Sequence, residues 1–110
     1  MTDVPEIDVQ GVAREQAAGA PLIDVREEQE YAAGHVPGAR LIPLGEVADR
    51  LDEVPTDRTV YVVCRSGGRS ARAVQHYRQH GIDAVNVAGG TLAWIEAGLP
   101  VDEPGGGAHG

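Results

Sequence analysis

The chain has 110 residues, 42% of them hydrophobic, which is enough for one domain built around one core. Its 17 acidic residues outweigh nine basic ones, for a formal net charge of −8, so we expect neither nucleic acid nor an anionic membrane as a partner. No apolar stretch approaches the ~18 residues of a membrane span, and the N-terminus has no basic or apolar signal segment, so we expect a cytoplasmic protein.

Short apolar runs alternate with amphipathic stretches along the chain, a pattern typical of α/β proteins. Glycine and proline mark most of the boundaries between them. The predicted elements are, in chain order, a helix 9–18, a strand 22–25, a helix 27–33, a strand 39–42, a helix 46–54, a strand 60–63, a helix 70–80, a strand 84–87 and a helix capped by Thr91 that ends at residue 97. Short connections and repeated crossovers predict a mostly parallel sheet with helices on both faces.

The predicted organisation is one domain followed by a tail. The domain covers residues 1–101. Residues 102–110 are rich in glycine and lack a side chain able to anchor them in a core, so we expect a flexible C-terminal tail. The chain has one cysteine, which rules out an intramolecular disulfide and agrees with a reducing compartment.

That cysteine, Cys64, lies in the most informative segment of the chain. It follows the apolar run 60–63, which lacks polar alternation and is typical of a parallel strand buried on both faces. From Ser70 onward the apolar spacing is helical. Residues 64–69 therefore connect the carboxyl end of a strand to the amino end of a helix, which is where open α/β sheets bind ligands.

A turn of this kind attracts anions. Its backbone N–H groups converge, and the amino end of the helix carries about half a positive charge. We expect Gly67 and Gly68 to allow positive φ angles, and Arg65 and Arg69 to add cationic donors. A helix amino end and nearby arginines lower a thiol pKa, and the thiolate is the reactive form. We therefore predict that Cys64 is a nucleophile for a small anionic substrate rather than a buried core residue.

Three stretches, in this order, resemble the rhodanese-like sulfurtransferases. The first is 22–39, which ends in the turn Gly-His-Val-Pro-Gly-Ala, and the second is the loop 64–70, Cys-Arg-Ser-Gly-Gly-Arg-Ser. The third is 87–100, with a Gly-Gly pair followed by Trp, Gly and Pro. Each motif alone is weak, whereas the three in the right order and spacing form a strong match over residues 22–101.

The resemblance implies a three-layer α/β fold, with a central, mostly parallel sheet of about five strands between helices. It implies thiosulfate sulfurtransferase activity without a cofactor: a small anionic sulfur donor, thiosulfate or a persulfide, gives its sulfane sulfur to Cys64, which passes it to cyanide or a thiol. A sulfur-relay protein is a further candidate partner. The substrate-binding residues are then Arg65, Ser66, Gly67, Gly68, Arg69 and Ser70. Arg65 and Arg69 would hold the oxyanion part of the donor, while Ser70 is equally consistent with a helix cap.

Two alternatives share this architecture. Cysteine-dependent phosphatases also place a thiolate in a strand-to-helix turn, but their pattern has one residue more between the cysteine and its arginine than the four between Cys64 and Arg69. A general acid for a phosphate ester is also not evident. The other alternative is a non-catalytic binding or regulatory module, which the fold alone does not exclude. Such modules usually lose the cysteine or the arginines, and this chain keeps both.

Other polar residues are interpreted as structural. Asp24 and Arg26, at the end of a strand, and Glu30, one turn later, are expected to form a buried network that ties strand to helix. His76 and His80 have a spacing that suits a metal ion. No third ligand lies near them in the sequence, so we expect no metal site and interpret them as a solvated helix face.

Overall fold

A five-stranded parallel sheet forms the centre of the computed structural model, which describes residues 4–103. The strands are β1 Glu6–Ile7, β2 Leu22–Asp24, β3 Arg40–Leu41, β4 Val60–Val63 and β5 Ala84–Val87, in the spatial order β1-β5-β4-β2-β3. The helices are α1 Val9–Ala17, α2 Glu28–Ala33, α3 Gly68–Gln79 and α4 Gly90–Glu96. Two 3₁₀ helices, Leu44–Glu46 and Ala48–Glu53, follow β3.

The predicted α/β architecture is confirmed, and its largest differences from the structure are at two elements. Strand β1 was not predicted, because its two residues are too short for a pattern; it pairs with β5 through Glu6 and Asn86. The predicted helix 46–54 is made of 3₁₀ turns, since the N–H groups of Arg50 and Val54 bind carbonyls three residues earlier. Arg50 itself, at φ −122°, interrupts the helical path.

Both faces of the sheet are buried, as the apolar run in β4 predicts. Val60 and Val62 belong to the apolar layer beneath α3 and the 3₁₀ helices, and Cys64 continues it. Tyr61 and Val63 belong to the opposite layer, together with residues of α1 and α4. Successive side chains of β4 thus pack alternately into the two apolar layers. Among the helices of residues 4–103, none has the length and apolar character that crossing a membrane requires.

The first residue of the predicted tail, Asp102, contacts the domain. The backbone N–H and carbonyl of Asp102 pair with those of His35 in an antiparallel bridge, at 2.8 Å in both directions. Asp102 is therefore held against the turn after α2. The rest of the predicted tail, residues 104–110, lies outside the described residues.

Candidate active site

Cys64 lies directly after β4, at the carboxyl edge of the sheet, with β4 flanked by β5 and β2. The chain turns at Gly67, whose φ of 115° is accessible to glycine but strained for other residues. Helix α3 begins at Gly68, two residues earlier than predicted. Two expectations are therefore wrong: Gly68 does not have a positive φ, and Ser70 lies inside the helix and is not its cap.

The Cys64 thiol lies within a ring of hydrogen-bond donors. Its Sγ accepts from the Gly67 N–H at 3.1 Å and lies 3.3 Å from the Ser70 hydroxyl oxygen. Burial raises the pKa of this thiol, but hydrogen bonds from the Ser70 hydroxyl and from the N–H groups of Ser70, Gly67 and Ser66 outweigh burial. The pKa of Cys64 is therefore below its ordinary value. Only 1% of the residue is exposed.

Asn86, on β5, binds two residues of this ring, Ser70 and Gly67, and it was not predicted from the sequence as a site residue. It is 1% exposed, and its Oδ1 accepts from the Ser70 hydroxyl at 2.5 Å. Its Nδ2 donates to the Gly67 carbonyl at 3.2 Å and to the Glu6 carboxylate at 3.1 Å. The available signal was a single polar residue inside the apolar strand 84–87.

The amino end of α4 packs against the loop at Cys64. The N–H and hydroxyl of Thr91 donate to the Cys64 carbonyl at 2.8 and 3.0 Å, and the Leu92 N–H donates to the Arg65 carbonyl at 3.1 Å. Gly90 makes this approach possible, because a Cβ there would lie 2.5 Å from the Arg65 carbonyl oxygen. Thr91, predicted as the cap of α4, therefore binds the loop instead, and Gly89 is the cap.

The arginines of the loop differ from each other. Arg69 forms a two-pronged ion pair with Glu30, at 2.7 Å for Nη1–Oε1 and 2.9 Å for Nη2–Oε2. Arg65 is exposed and has no ion pair among residues 4–103. Arg26 binds Asp24 at 2.8 Å. The expected network of Asp24, Arg26 and Glu30 is therefore split, because Glu30 reaches across to the active-site loop.

A cavity of about 300 Å³ opens beside the loop. Its lining includes the charged residues Arg65 and Glu30 and the apolar residues Leu92 and Ile95 of α4. These two apolar side chains are 41% and 51% exposed. Within the described part of the chain, no three side chains that could ligate a metal ion come together.

Six of the seven sequence-predicted site residues thus fall into two groups, and the seventh, Gly68, begins α3. Cys64, Ser66, Gly67 and Ser70 converge on one sulfur atom, through backbone N–H groups and one hydroxyl. Their joint effect is to stabilise an anionic sulfur at the amino end of a 12-residue helix. Arg65 and Arg69 border the site with their side chains, and the charge of Arg69 is already compensated by a carboxylate.

Comparisons with known proteins show the family to which this chain is similar. The family model described as "Rhodanese-like domain" matches residues 8–97. A protein of Allochromatium vinosum named "Sulfurtransferase" is 38% identical over 104 residues, which cover 92% of this chain and 97% of that protein. Among solved structures, a rhodanese-like domain protein from Staphylococcus aureus superposes with a TM-score of 0.78 at 36% identity, covering 82% of this chain and 90% of that one.

A second kind of relative is larger. An HTH-type transcriptional regulator of Mycobacterium tuberculosis is 44% identical over 92 residues. The match covers 82% of this chain but 41% of the regulator. The chain therefore spans less than half the length of that relative, and it is similar to one part of it.

Proposed function

Because the chain belongs to the rhodanese-like domain family, we propose that it is a sulfurtransferase that carries a sulfane sulfur as a persulfide on Cys64. One observation carries this proposal: the Cys64 sulfur accepts hydrogen bonds from its own loop and its pKa is below its ordinary value. The thiolate is the form of a cysteine that attacks sulfur, and a lowered pKa makes it available at a lower pH.

The first half of the proposed reaction loads Cys64. Its thiolate attacks the outer sulfur of thiosulfate, a bond forms between the two sulfurs, and the S–S bond of the donor breaks. The electron pair of that bond leaves with sulfite. Cys64 is left as an anionic persulfide, so charge and atoms balance without a proton transfer. A low-molecular-weight or protein persulfide would react in the same way, with a thiolate as the leaving group.

The second half discharges the persulfide. Cyanide or a thiolate attacks the terminal sulfur, the S–S bond on Cys64 breaks, and its electron pair restores the Cys64 thiolate. Thiocyanate or a new persulfide leaves. The N–H groups of Ser66, Gly67 and Ser70 that stabilise the thiolate would stabilise the anionic persulfide between the two halves. A sulfur-relay protein that presents a thiol is a candidate acceptor by the same chemistry.

A second candidate function is a regulatory module without turnover. The observation that favours it is the relative named as a transcriptional regulator, to which the chain is similar over part of the regulator's length. In such a module Cys64 would still lie in the same ring of donors. The two candidates therefore differ in whether a sulfur placed on Cys64 is passed on.

The test is a double-displacement experiment. After incubation with thiosulfate, mass spectrometry of the parent protein should show one added sulfur on its one cysteine, and cyanide should remove it quantitatively. Initial-rate lines for thiosulfate at several cyanide concentrations should be parallel, as ping-pong turnover requires. Cys64→Ser, nearly isosteric but a far weaker nucleophile, should retain the fold and lose both the adduct and the turnover.

Three other outcomes would contradict the proposal. Intersecting rate lines with no trapped adduct would mean that donor and acceptor bind together. Turnover by Cys64→Ser comparable to the parent would remove Cys64 from the mechanism. An adduct that forms but resists every thiol and cyanide would favour the regulatory module.

A further inference from the structure

The ion pair between Glu30 and Arg69 joins two parts of the chain that lie 39 residues apart. Glu30 belongs to α2, and Arg69 lies in the first turn of α3, one residue before Ser70. Both carboxylate oxygens of Glu30 accept from the guanidinium, at 2.7 and 2.9 Å. This two-pronged geometry is the strongest that these side chains form.

Glu30 is held in place by its own helix. Its Oε1 also accepts from the Glu27 N–H at 2.9 Å, which completes the capping box at the start of α2. The hydrogen bond from Arg69, which outweighs the opposing effect of burial, lowers the pKa of Glu30 to about 2. The carboxylate is therefore charged well below neutral pH.

This carboxylate changes the charge that a reactant meets. Arg26 is compensated by Asp24 and Arg69 by Glu30, while Arg65 has no ion pair in the described part of the chain. The mouth of the site is consequently less positive than the cluster of arginines in the sequence indicates. An anion approaching Cys64 is attracted by the loop N–H groups and Arg65, and it is repelled by Glu30.

We propose that Glu30 determines the charge selectivity of the site: by compensating Arg69, it disfavours small anionic reactants at Cys64 relative to neutral ones. Glu30 acts through Arg69 and is a specificity-determining residue rather than a catalytic one. The inference rests on the proposed function only in identifying thiosulfate, a dianion, as one of the disfavoured reactants.

Alkylation of the one cysteine tests this inference without any sulfur transfer. Iodoacetate and iodoacetamide are close in size, have the same leaving group and differ by one negative charge. Both react with the thiolate, so the ratio of their rates at one pH cancels any change in the thiol pKa. For Glu30→Gln we expect the iodoacetate-to-iodoacetamide ratio to rise about fivefold over the parent, which is the effect of about 1 kcal/mol between unit charges about 4 Å apart in water. The rise should shrink as salt is added.

Three variants separate charge from position. Glu46→Gln removes a carboxylate that binds Arg50, so it matches the change in net charge and should leave the ratio within about twofold of the parent. Glu30→Asp keeps the charge and should also stay near the parent. In Glu30→Gln combined with Arg69→Gln both charges of the pair are removed together, and the ratio should return toward the parental value.

The outcomes are distinct. A ratio that does not rise in Glu30→Gln overturns the proposal, and so does an equal rise in Glu30→Asp, which would show that the position of the carboxylate matters and its charge does not. The Gln amide oxygen can still accept from the Glu27 N–H, so we expect Glu30→Gln to retain the start of α2. If Glu30→Gln nevertheless misfolds, Glu30→Asp and the double variant still test the proposal. A ratio in either variant that departs from the parental ratio by more than threefold contradicts the proposal. A rise in the ratio supports the proposal even if no variant transfers sulfur, in which case only the proposed function fails.

Discussion

Ser70 has one hydroxyl proton, and two acceptors compete for it. The Oδ1 of Asn86 lies 2.5 Å from its oxygen and the Sγ of Cys64 lies 3.3 Å away. Asn86 cannot turn its amide to relieve this competition, because its Nδ2 is committed to the Gly67 carbonyl and the Glu6 carboxylate. Once Cys64 ionises, its full negative charge makes it the stronger competitor, since hydrogen bonds to charged groups are about twice as strong as neutral ones. At the residue scale, the Ser70 hydroxyl therefore couples a buried amide to the reactivity of a thiol.

We predict that Ser70→Ala raises the pKa of Cys64, because it removes the largest of the hydrogen-bond contributions that lower it while burial remains. The rate of iodoacetamide alkylation against pH should reach its midpoint at a higher pH than in the parent. Ser66→Ala is the matched control in the same loop, since the contact of Ser66 with the sulfur is through its backbone N–H. Equal midpoints in Ser70→Ala and the parent would exclude the hydroxyl as a donor to the thiolate.

At the scale of elements, the loop at Cys64 is supported from two sides. From the sheet, Asn86 of β5 holds the Gly67 carbonyl, and from above, the first turn of α4 holds the carbonyls of Cys64 and Arg65. The loop is thus fixed by two elements that follow it in the chain. The close approach of α4 depends on the missing side chain of Gly90.

We predict that Gly90→Ala lowers the free energy of unfolding by about 1–3 kcal/mol more than Gly98→Ala does, the range for forcing atoms into a packed region. Both glycines have positive φ, +60° and +75°, so both variants strain the backbone. A Cβ at Gly90 would also lie 2.5 Å from the Arg65 carbonyl oxygen, whereas one at Gly98 would meet no atom within 4 Å. Urea unfolding of the two variants measures the difference, and equal losses would mean that α4 does not pack on the loop as described.

At the scale of the molecule, an acidic chain is combined with ion pairs that link separate elements. The net charge is −8, yet Arg69 and Arg26 are each bound to a carboxylate close to the active-site loop. The ion pair between Glu30 and Arg69 connects α2, which follows β2, to α3, which follows β4. Its contribution to stability therefore has a defined dependence on pH.

The pKa of Glu30 is lowered from an ordinary 4.5 to about 2 in the folded protein. Its contribution to stability is present above pH 4.5 and is lost as the pH falls toward 2, because the unfolded chain binds the proton first. We predict that, as the pH falls from 4.5 to 2, the free energy of unfolding of Glu30→Gln decreases by about 1 kcal/mol less than that of the parent. This value is smaller than the full linkage effect because the side chains of Glu30 and Arg69 are partly exposed to solvent. Urea unfolding at a series of pH values measures it, with Glu46→Gln as the control for loss of one carboxylate. Parallel curves for Glu30→Gln and the parent would contradict the prediction.

Much of the fold and the centre of the site could be predicted from the sequence, because they depend on local patterns. The apolar run before Cys64, the glycines after it and the helical spacing from Ser70 all lie within a few turns of chain, and together they predict a strand, a tight turn and a helix. The family resemblance rests on the same kind of information, since its three motifs are each continuous. The position of Cys64 at a helix amino end and the direction of its pKa shift were predicted from these neighbours, but the main hydrogen bonds that lower the pKa come from the Ser70 hydroxyl and the loop N–H groups.

The remaining features were decided by contacts between residues far apart in the chain. Arg69 was predicted to hold the oxyanion part of the donor, yet Glu30, 39 residues earlier, compensates its charge. Asn86 reaches Ser70 across 16 residues, and Thr91 reaches the Cys64 carbonyl across 27. Strand β1 exists because β5 provides its hydrogen-bonding partner. No local pattern contains these pairings, because parallel strands and crossover helices bring together segments whose separation in the sequence is set by the topology of the sheet.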